Sequence, residues 1–241
     1  MTTPPGAPPP TSPGPGWLLN GWHAIGLLFW VVLFKLLNRV IVLGSEHLPA
    51  RGQGGVFILA NHVSAIDPFL IGVTAMPFFS PVWWRAMAKA ELFDLPVVGA
   101  LLRSWGALPV RRGRRDLAAL AALVPHVRSE VMVAFPEGTR SVDGRLLPGR
   151  PGIGKLIYDA RPRAIIPAAI AGTDAILPKG CILPRWGRTA MIAYGPPVDV
   201  SRFYDLPDSA DTSQQIVDEI MRAIAALHAT IHTDTKKADE R

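Results

Sequence analysis

The sequence predicts an α/β fold, an αβα sandwich around a largely parallel β-sheet, preceded by a membrane-associating helical segment at the N-terminus. Three observations carry this reading. Short apolar runs rich in Val, Ile, Ala and Phe alternate with longer helix-patterned segments from residue 40 to residue 232. Strands covered on both faces read as such continuous runs. Polar stretches come directly after two of the runs, at the strand ends where open α/β sheets gather ligands. The first 39 residues differ from the rest of the chain, a Pro/Gly-rich tail leading into an apolar segment that holds three tryptophans.

Composition narrows the possibilities. A chain of 241 residues fits a single core, since such cores stop growing at roughly 250 to 300 residues. It is 49% hydrophobic and 18% charged, against about 25% charged in an average soluble domain, so some apolar surface is expected outside the core. The net charge of +6 and pI near 9.9 favour an anionic partner: nucleic acid, an anionic membrane surface or a phosphorylated substrate. The single cysteine, Cys181, excludes an internal disulfide and a cysteine-rich metal site, and fits a reducing compartment.

Residues 1–16 (MTTPPGAPPPTSPGPG) cannot bury enough apolar surface to offset chain entropy, which predicts a disordered tail. Residues 17–39 form the membrane-associating segment. Its centre, 24–34, is uninterrupted apolar while Asn20, His23 and Lys35 interrupt the flanks, so the segment falls between the ~20 residues that span a bilayer and the 10 to 14 of an interfacial or buried helix. No Lys or Arg occurs in residues 1–34 and no small-residue cleavage site comes after them, so this is not a secretory signal. Trp17, Trp22 and Trp30 with Lys35 and Arg39 suit a membrane interface, and if the helix spans, the positive flank places the remaining chain in the cytoplasm; the expectation is the cytoplasmic face of the cell membrane, peripheral or with a single N-terminal span. A buried core helix is the alternative.

Beyond it, strands are expected at 40–43, 55–60, 84–88, 107–110, 131–135, 165–170 and 190–194, and helices at 67–74, 95–104, 116–129, 152–159 and 212–232. Pro125 falls inside the third of these helices, where it removes a ladder donor. Residues 40–232 form one domain, without internal repeat or linker, and 233–241 are a polar tail.

Two polar stretches carry chemistry. Asn61-His62-Val63-Ser64-Ala65-Ile66-Asp67 ends the second apolar run. On a regular helix His62 and Asp67 would lie about 140° apart, so the helix must start later for them to meet. Asp67-Pro68 is a plausible N-cap and first turn, and Ser64 with Asp67 offers a cap one turn earlier. Either leaves His62 in the preceding loop. The pair reads as a capping turn or as a base with its orienting acid. Phe135-Pro136-Glu137-Gly138-Thr139-Arg140-Ser141 ends another run. Arg140 can grip phosphate bidentately, with Thr139 and the Gly138 backbone donating further hydrogen bonds.

Other motifs are weaker. Residues 149–155 mimic a Walker A loop, but Leu156 stands where a magnesium-binding hydroxyl is required. His228 and His232 are four apart without a third ligand nearby, so no metal site is expected. There is no Gly-x-Ser-x-Gly. The run Arg111-Arg112-Gly113-Arg114-Arg115 lacks the interleaved aromatics of a nucleic-acid surface and suits anionic lipid.

Together these stretches resemble the glycerolipid acyltransferase family, above all the bacterial 1-acyl-sn-glycerol-3-phosphate acyltransferases. The matching blocks are Asn61-His62 with Asp67, Gly106 to Arg111, Phe135 to Ser141, and Ile165-Ile166-Pro167-Ala168. Leu108-Pro109 and Arg150-Pro151-Gly152 depart from the family pattern and loosen the expectation for phosphate contacts. The resemblance implies His62 as general base and Asp67 as its partner, with Asn61, Arg111, Glu137, Gly138, Thr139 and Arg140 toward the substrate. It implies no cofactor, an acyl-CoA or acyl carrier protein donor, a lysophospholipid acceptor and a membrane surface, with no nucleic acid. The implied reaction is acylation of the 2-hydroxyl of 1-acyl-sn-glycerol 3-phosphate to phosphatidate. Glycerol 3-phosphate or a lyso-aminolipid is an alternative acceptor, and a non-catalytic lipid-binding protein of the same fold an alternative class. Cys181 lies outside every block, which implies direct transfer without an acyl-enzyme.

Overall fold

The computed structural model describes residues 14–50, 52–110 and 117–239. Arg111 with its basic run, and the tail up to residue 13, lie outside the described residues. The chain runs α1 (Trp17–Val31), a π-helical turn (Val32–Leu36), β1 (Arg39–Leu43), β2 (Val56–Ala60), α2 (Asp67–Ala75), β3 (Trp84–Lys89), α3 (Pro96–Ser104), β4 (Leu108–Val110), α4 (Leu117–Ser129), β5 (Val131–Ala134), α5 (Pro151–Ala160), β6 (Ala164–Ala171), α6 (Thr173–Ile176), β7 (Thr189–Tyr194) and α7 (Ala210–Asp239). Each expected strand is present within a residue at either end. The one-turn α6 carries no periodic pattern and was not expected. The helix expected to stop at residue 232 continues to Asp239, because nothing after His232 interrupts it with Gly or Pro.

The seven strands form one sheet in the order β1-β7-β6-β2-β5-β3-β4. All neighbours are parallel except β6 and β7, so β1 and β7 run against the other five. Two prolines show how the sheet tolerates a missing N–H. Pro109 sits on β4, an edge strand, where a lost donor faces solvent. Pro167 lies inside β6, but β7 pairs only from Ala168 onward. Its carbonyl accepts from the Gly195 amide at 2.9 Å, so its missing donor points to the same side, past the end of β7. Pro125 interrupts α4 on its exposed side, where Ala121 is also exposed and water can satisfy the freed carbonyl.

Alternation along the strands sorts the core. Val56, Ile58 and Ala60 of β2 pack with Leu27 and Phe34 of the N-terminal segment and with Leu70 and Ile71 of α2. Phe57 and Leu59 face the other way, onto α4, α5 and α7. The αβα sandwich results. The N-terminal segment is thus part of one helical layer. Gly26 lets the backbone of α1 lie on Trp105, since a Cβ there would meet the indole at 1.9 Å. Trp22 Nε1 donates to Ser104 Oγ at 3.1 Å, and His23 Nε2 lies 3.2 Å from the Ser104 carbonyl. The opposite face of α1, with Trp17, Leu18, Ile25, Leu28 and Phe29, is exposed. Among the described residues one helix, Trp17–Leu36, is long and apolar enough to cross a membrane.

Candidate active site

The site forms where β2 and β5 end, and the parallel pairing of these strands puts their carboxyl ends side by side. The chain leaves β2 through six non-helical residues, 61–66, before α2 begins, which keeps His62 out of the helix. Asp67 is the first residue of α2 rather than its cap: Ile66 occupies the cap position and no side chain caps the helix. The carboxylate is engaged upstream instead. Its Oδ2 accepts from His62 Nδ1, from the Val63 amide and from the Ser64 amide, each at 2.8 Å. Its Oδ1 accepts from Thr173 Oγ1 at 2.5 Å. Asp67 is fully buried, and four donors offset the desolvation of its charge. Ser64 is not a cap either; its hydroxyl donates to the Leu177 carbonyl at 2.8 Å.

The imidazole is fixed on both sides. A carboxylate only accepts, so in the neutral ring Nδ1 carries the proton and Nε2 offers its lone pair. Among the described residues nothing hydrogen-bonds Nε2. Phe135 stacks on the ring, centroids 4.0 Å apart and planes 13° from parallel. The strand expected to run through Phe135 ends at Ala134, and the chain turns so that this ring covers the histidine.

The Phe135–Ser141 stretch is locked to the histidine loop. The Ser141 amide donates to the His62 carbonyl at 2.8 Å. Glu137 accepts from the His62 amide at 3.2 Å through Oε1 and from the Leu147 amide at 3.3 Å through Oε2. The Glu137 carboxyl is buried, and burial pushes its pKa up to about 7, against the opposing pull of these two amides. It faces the backbone of the His62 loop, which is a positioning geometry. Gly138 closes the turn at φ 68, and the Arg150 side chain lies across it so closely that a Cβ would meet Arg150 Cδ at 2.9 Å. Arg150 Nε donates to the Glu137 carbonyl at 3.1 Å.

The remaining expected residues fall differently. Both atoms of the Asn61 carboxamide bond the backbone of Ile170, Nδ2 to its carbonyl at 2.9 Å and Oδ1 from its amide at 2.7 Å. Asn61 therefore straps β2 to β6 through both of its polar atoms. Thr139 is exposed and Arg140 half-buried, and neither bonds another described residue through its side chain. Their donors are available to a ligand. Lys155 of the Walker-like stretch is bound by Asp159 and Asp208. His228 bonds the Gly144 carbonyl, and no group of three His, Cys, Asp or Glu among the described residues could hold a metal. Sequence reasoning missed Thr173, Ser64 as a loop tie, and Arg150. For Thr173 the available signal was a hydroxyl just past the end of a strand, which acquires meaning only once β6 is known to neighbour β2.

The sheet, and this pair of loops at its rim, belong to a known class. The Acyltransferase family model matches residues 39–171, more than half of the chain, and the chain belongs to that family. It is 29% identical over 183 residues to the 1-acyl-sn-glycerol-3-phosphate acyltransferase of Limnanthes douglasii, covering 73% of this chain and 59% of that protein. The chain thus spans about three-fifths of that plant relative. To the Bacillus subtilis protein of the same name it is 29% identical over 178 residues, covering 73% of this chain and 82% of the other. It also resembles the crystal structure of the 1-acyl-sn-glycerophosphate (LPA) acyltransferase PlsC of Thermotoga maritima, with a TM-score of 0.60 and 25% identity over 88% of this chain and 79% of that one.

Proposed function

We propose that the chain transfers an acyl group from acyl-CoA or acyl carrier protein to the 2-hydroxyl of 1-acyl-sn-glycerol 3-phosphate, forming phosphatidate. The observation that carries this is the His62 Nδ1 to Asp67 Oδ2 bond of 2.8 Å, which leaves Nε2 as a base at the sheet rim. An alcohol is too weak an acid to ionise near neutral pH, so its proton must leave as it attacks the thioester. Nε2 takes that proton while the hydroxyl oxygen bonds the thioester carbon. Asp67 stabilises the imidazolium, which returns the proton to the departing thiolate when the tetrahedral intermediate collapses. The nucleophile is the substrate, so no enzyme side chain is acylated.

Arg140 and Arg111 neutralise the acceptor phosphate, with Thr139 and the Gly138 backbone as further donors. Asn61 and Glu137 hold the catalytic loop in place. The outer face of α1 rests in the membrane interface, because its inner face is committed to α2 and α3. Lys35 and Arg39 at its end favour the cytoplasmic side. Residues 40–232 act as the transferase domain.

Purified protein offered lysophosphatidate, glycerol 3-phosphate and lyso-aminolipids, each with acyl-CoA and acyl carrier protein, should give phosphatidate as the main product by mass spectrometry. A preference for another acceptor would move the assignment within the family. Lipid binding without turnover by any donor, unchanged in His62→Ala, would make the chain a non-catalytic binder.

A further inference from the structure

The segment joining α6 to β7, residues 177–188, has no regular secondary structure. It reads Leu-Pro-Lys-Gly-Cys-Ile-Leu-Pro-Arg-Trp-Gly-Arg. Ile182 is 90% exposed, Leu183 77% and Trp186 70%. A loop that could fold these side chains inward would do so, since each fully buried one gains about 1.5–3 kcal/mol. The backbone is instead held in an outward course. Pro178 and Pro184 stiffen the loop, the Cys181 amide closes a turn onto the Pro178 carbonyl at 3.1 Å, and Gly180 takes φ 88 within that turn. The base is tied at three points: the Arg185 amide to the Ile176 carbonyl at 2.7 Å, the Gly187 amide to the Leu37 carbonyl at 2.9 Å, and the Arg188 amide to Asn38 Oδ1 at 2.9 Å. The tip is held out.

Charge and position identify what covers it. Lys179, Arg185 and Arg188 are exposed within the loop, and Lys35 and Arg39 are exposed on the segment it is tied to. None of the five is in an ion pair among the described residues. Asp174 is the only acidic residue between Arg161 and Val198. Apolar tips framed by cations suit an anionic phospholipid surface, where the side chains enter the acyl boundary and the charges stay among headgroups. The ties to Leu37 and Asn38 also make the loop continuous with the exposed apolar face that ends at Leu36 and Leu37. An acidic protein partner would account for the charges but not for that continuity.

We infer that residues 177–188 are a second membrane-contacting element, in which Ile182, Leu183 and Trp186 insert into an anionic bilayer and thereby hold the catalytic loop at the lipid surface. Its other end is bonded to that loop through Ser64 Oγ to the Leu177 carbonyl, and α6 begins with Thr173, the donor to Asp67. The acceptor would pass from bilayer to His62 alongside this loop. The inference rests on reading α1 as membrane-contacting.

The chain's single cysteine lies in the loop and is exposed, so a nitrobenzoxadiazole label on Cys181 of the full chain reports its surroundings. Vesicles of phosphatidylglycerol and phosphatidylcholine should raise and blue-shift the emission, protect the label from aqueous iodide, and allow quenching by nitroxide lipids. Phosphatidylcholine alone should do so weakly. The triple variant Ile182→Ser, Leu183→Ser, Trp186→Ser should lose about tenfold or more in affinity for the anionic vesicles, while turnover of a short-chain acceptor without vesicles stays near wild type. If the protein sediments with vesicles but the label stays aqueous, the loop is not inserted and only the reading of α1 survives. If the protein does not bind vesicles, both readings fail. A label that responds to acyl carrier protein or to rising protein concentration, and not to lipid, assigns the loop to a protein contact and overturns the inference.

Discussion

Replacing Asp67 with Asn separates a catalytic carboxylate from a structural one. The carboxylate accepts three bonds on Oδ2 and one on Oδ1. Asn can place its carbonyl oxygen where Oδ2 lies and turn its amide toward Thr173, whose hydroxyl can accept as well as donate. The turn and the ring's tautomer are then preserved, and stability should change by only ~1 kcal/mol. What disappears is the negative charge facing the imidazolium across 2.8 Å. In a buried site that charge contributes about 3–5 kcal/mol to the transition state, or about 10² to 10⁴ in kcat. Ala would be a poorer choice because it strands four donors at once. The assay is kcat for lysophosphatidate acylation beside a thermal melt, with His62→Ala and the double variant in parallel. The double variant should be little worse than His62→Ala alone, since the two residues act as a unit. A variant with unchanged melting that keeps kcat within about threefold would refute the reasoning and leave Asp67 as a tie for the turn.

Neighbouring contacts lead to further expected outcomes. Thr173→Val removes the donor to Asp67 Oδ1 and should lower kcat about tenfold with little effect on KM for the acceptor, with Thr173→Ser restoring most of it; an effect on KM alone would place Thr173 against substrate instead. The Glu137 pKa is raised in the fold from its ordinary 4.5 to about 7, so between these values the native state holds a proton that the unfolded chain has lost. The stability contributed by this group therefore falls as pH rises through that window, by up to ~3 kcal/mol. Glu137→Gln mimics the protonated form, and denaturation profiles of the two proteins should diverge across the window; parallel profiles would count against the buried, shifted carboxyl. Arg140→Lys should raise KM for a phosphorylated acceptor about tenfold or more, because an ammonium cannot reproduce the two-pronged contact. Equal loss on an acceptor lacking phosphate would remove Arg140 from that role.

Much of this molecule is local and could be read without coordinates. The strands are legible because a strand buried on both faces must be apolar throughout, as 56–60 and 131–134 are. The loop placement of His62 was legible because a five-residue separation on a helix would keep it from Asp67. What the sequence left open was whether Asp67 caps α2 or serves the histidine, since both uses need the same residue before Pro68. The tertiary structure shows the carboxylate off the cap position and bonded to His62, with Thr173, 106 residues away, as a further partner and the strap of Asn61 to Ile170, 109 residues away, beside it. Likewise Glu137 turns toward the His62 amide, 75 residues distant, and α1 lies on the domain because Gly26 meets Trp105. The contacts of Thr173, Asn61 and Glu137 depend on β6, β2 and β5 being neighbours. Periodicity and capping act over a few residues and carry no information about strand order, which is fixed only when the whole sheet buries both its faces.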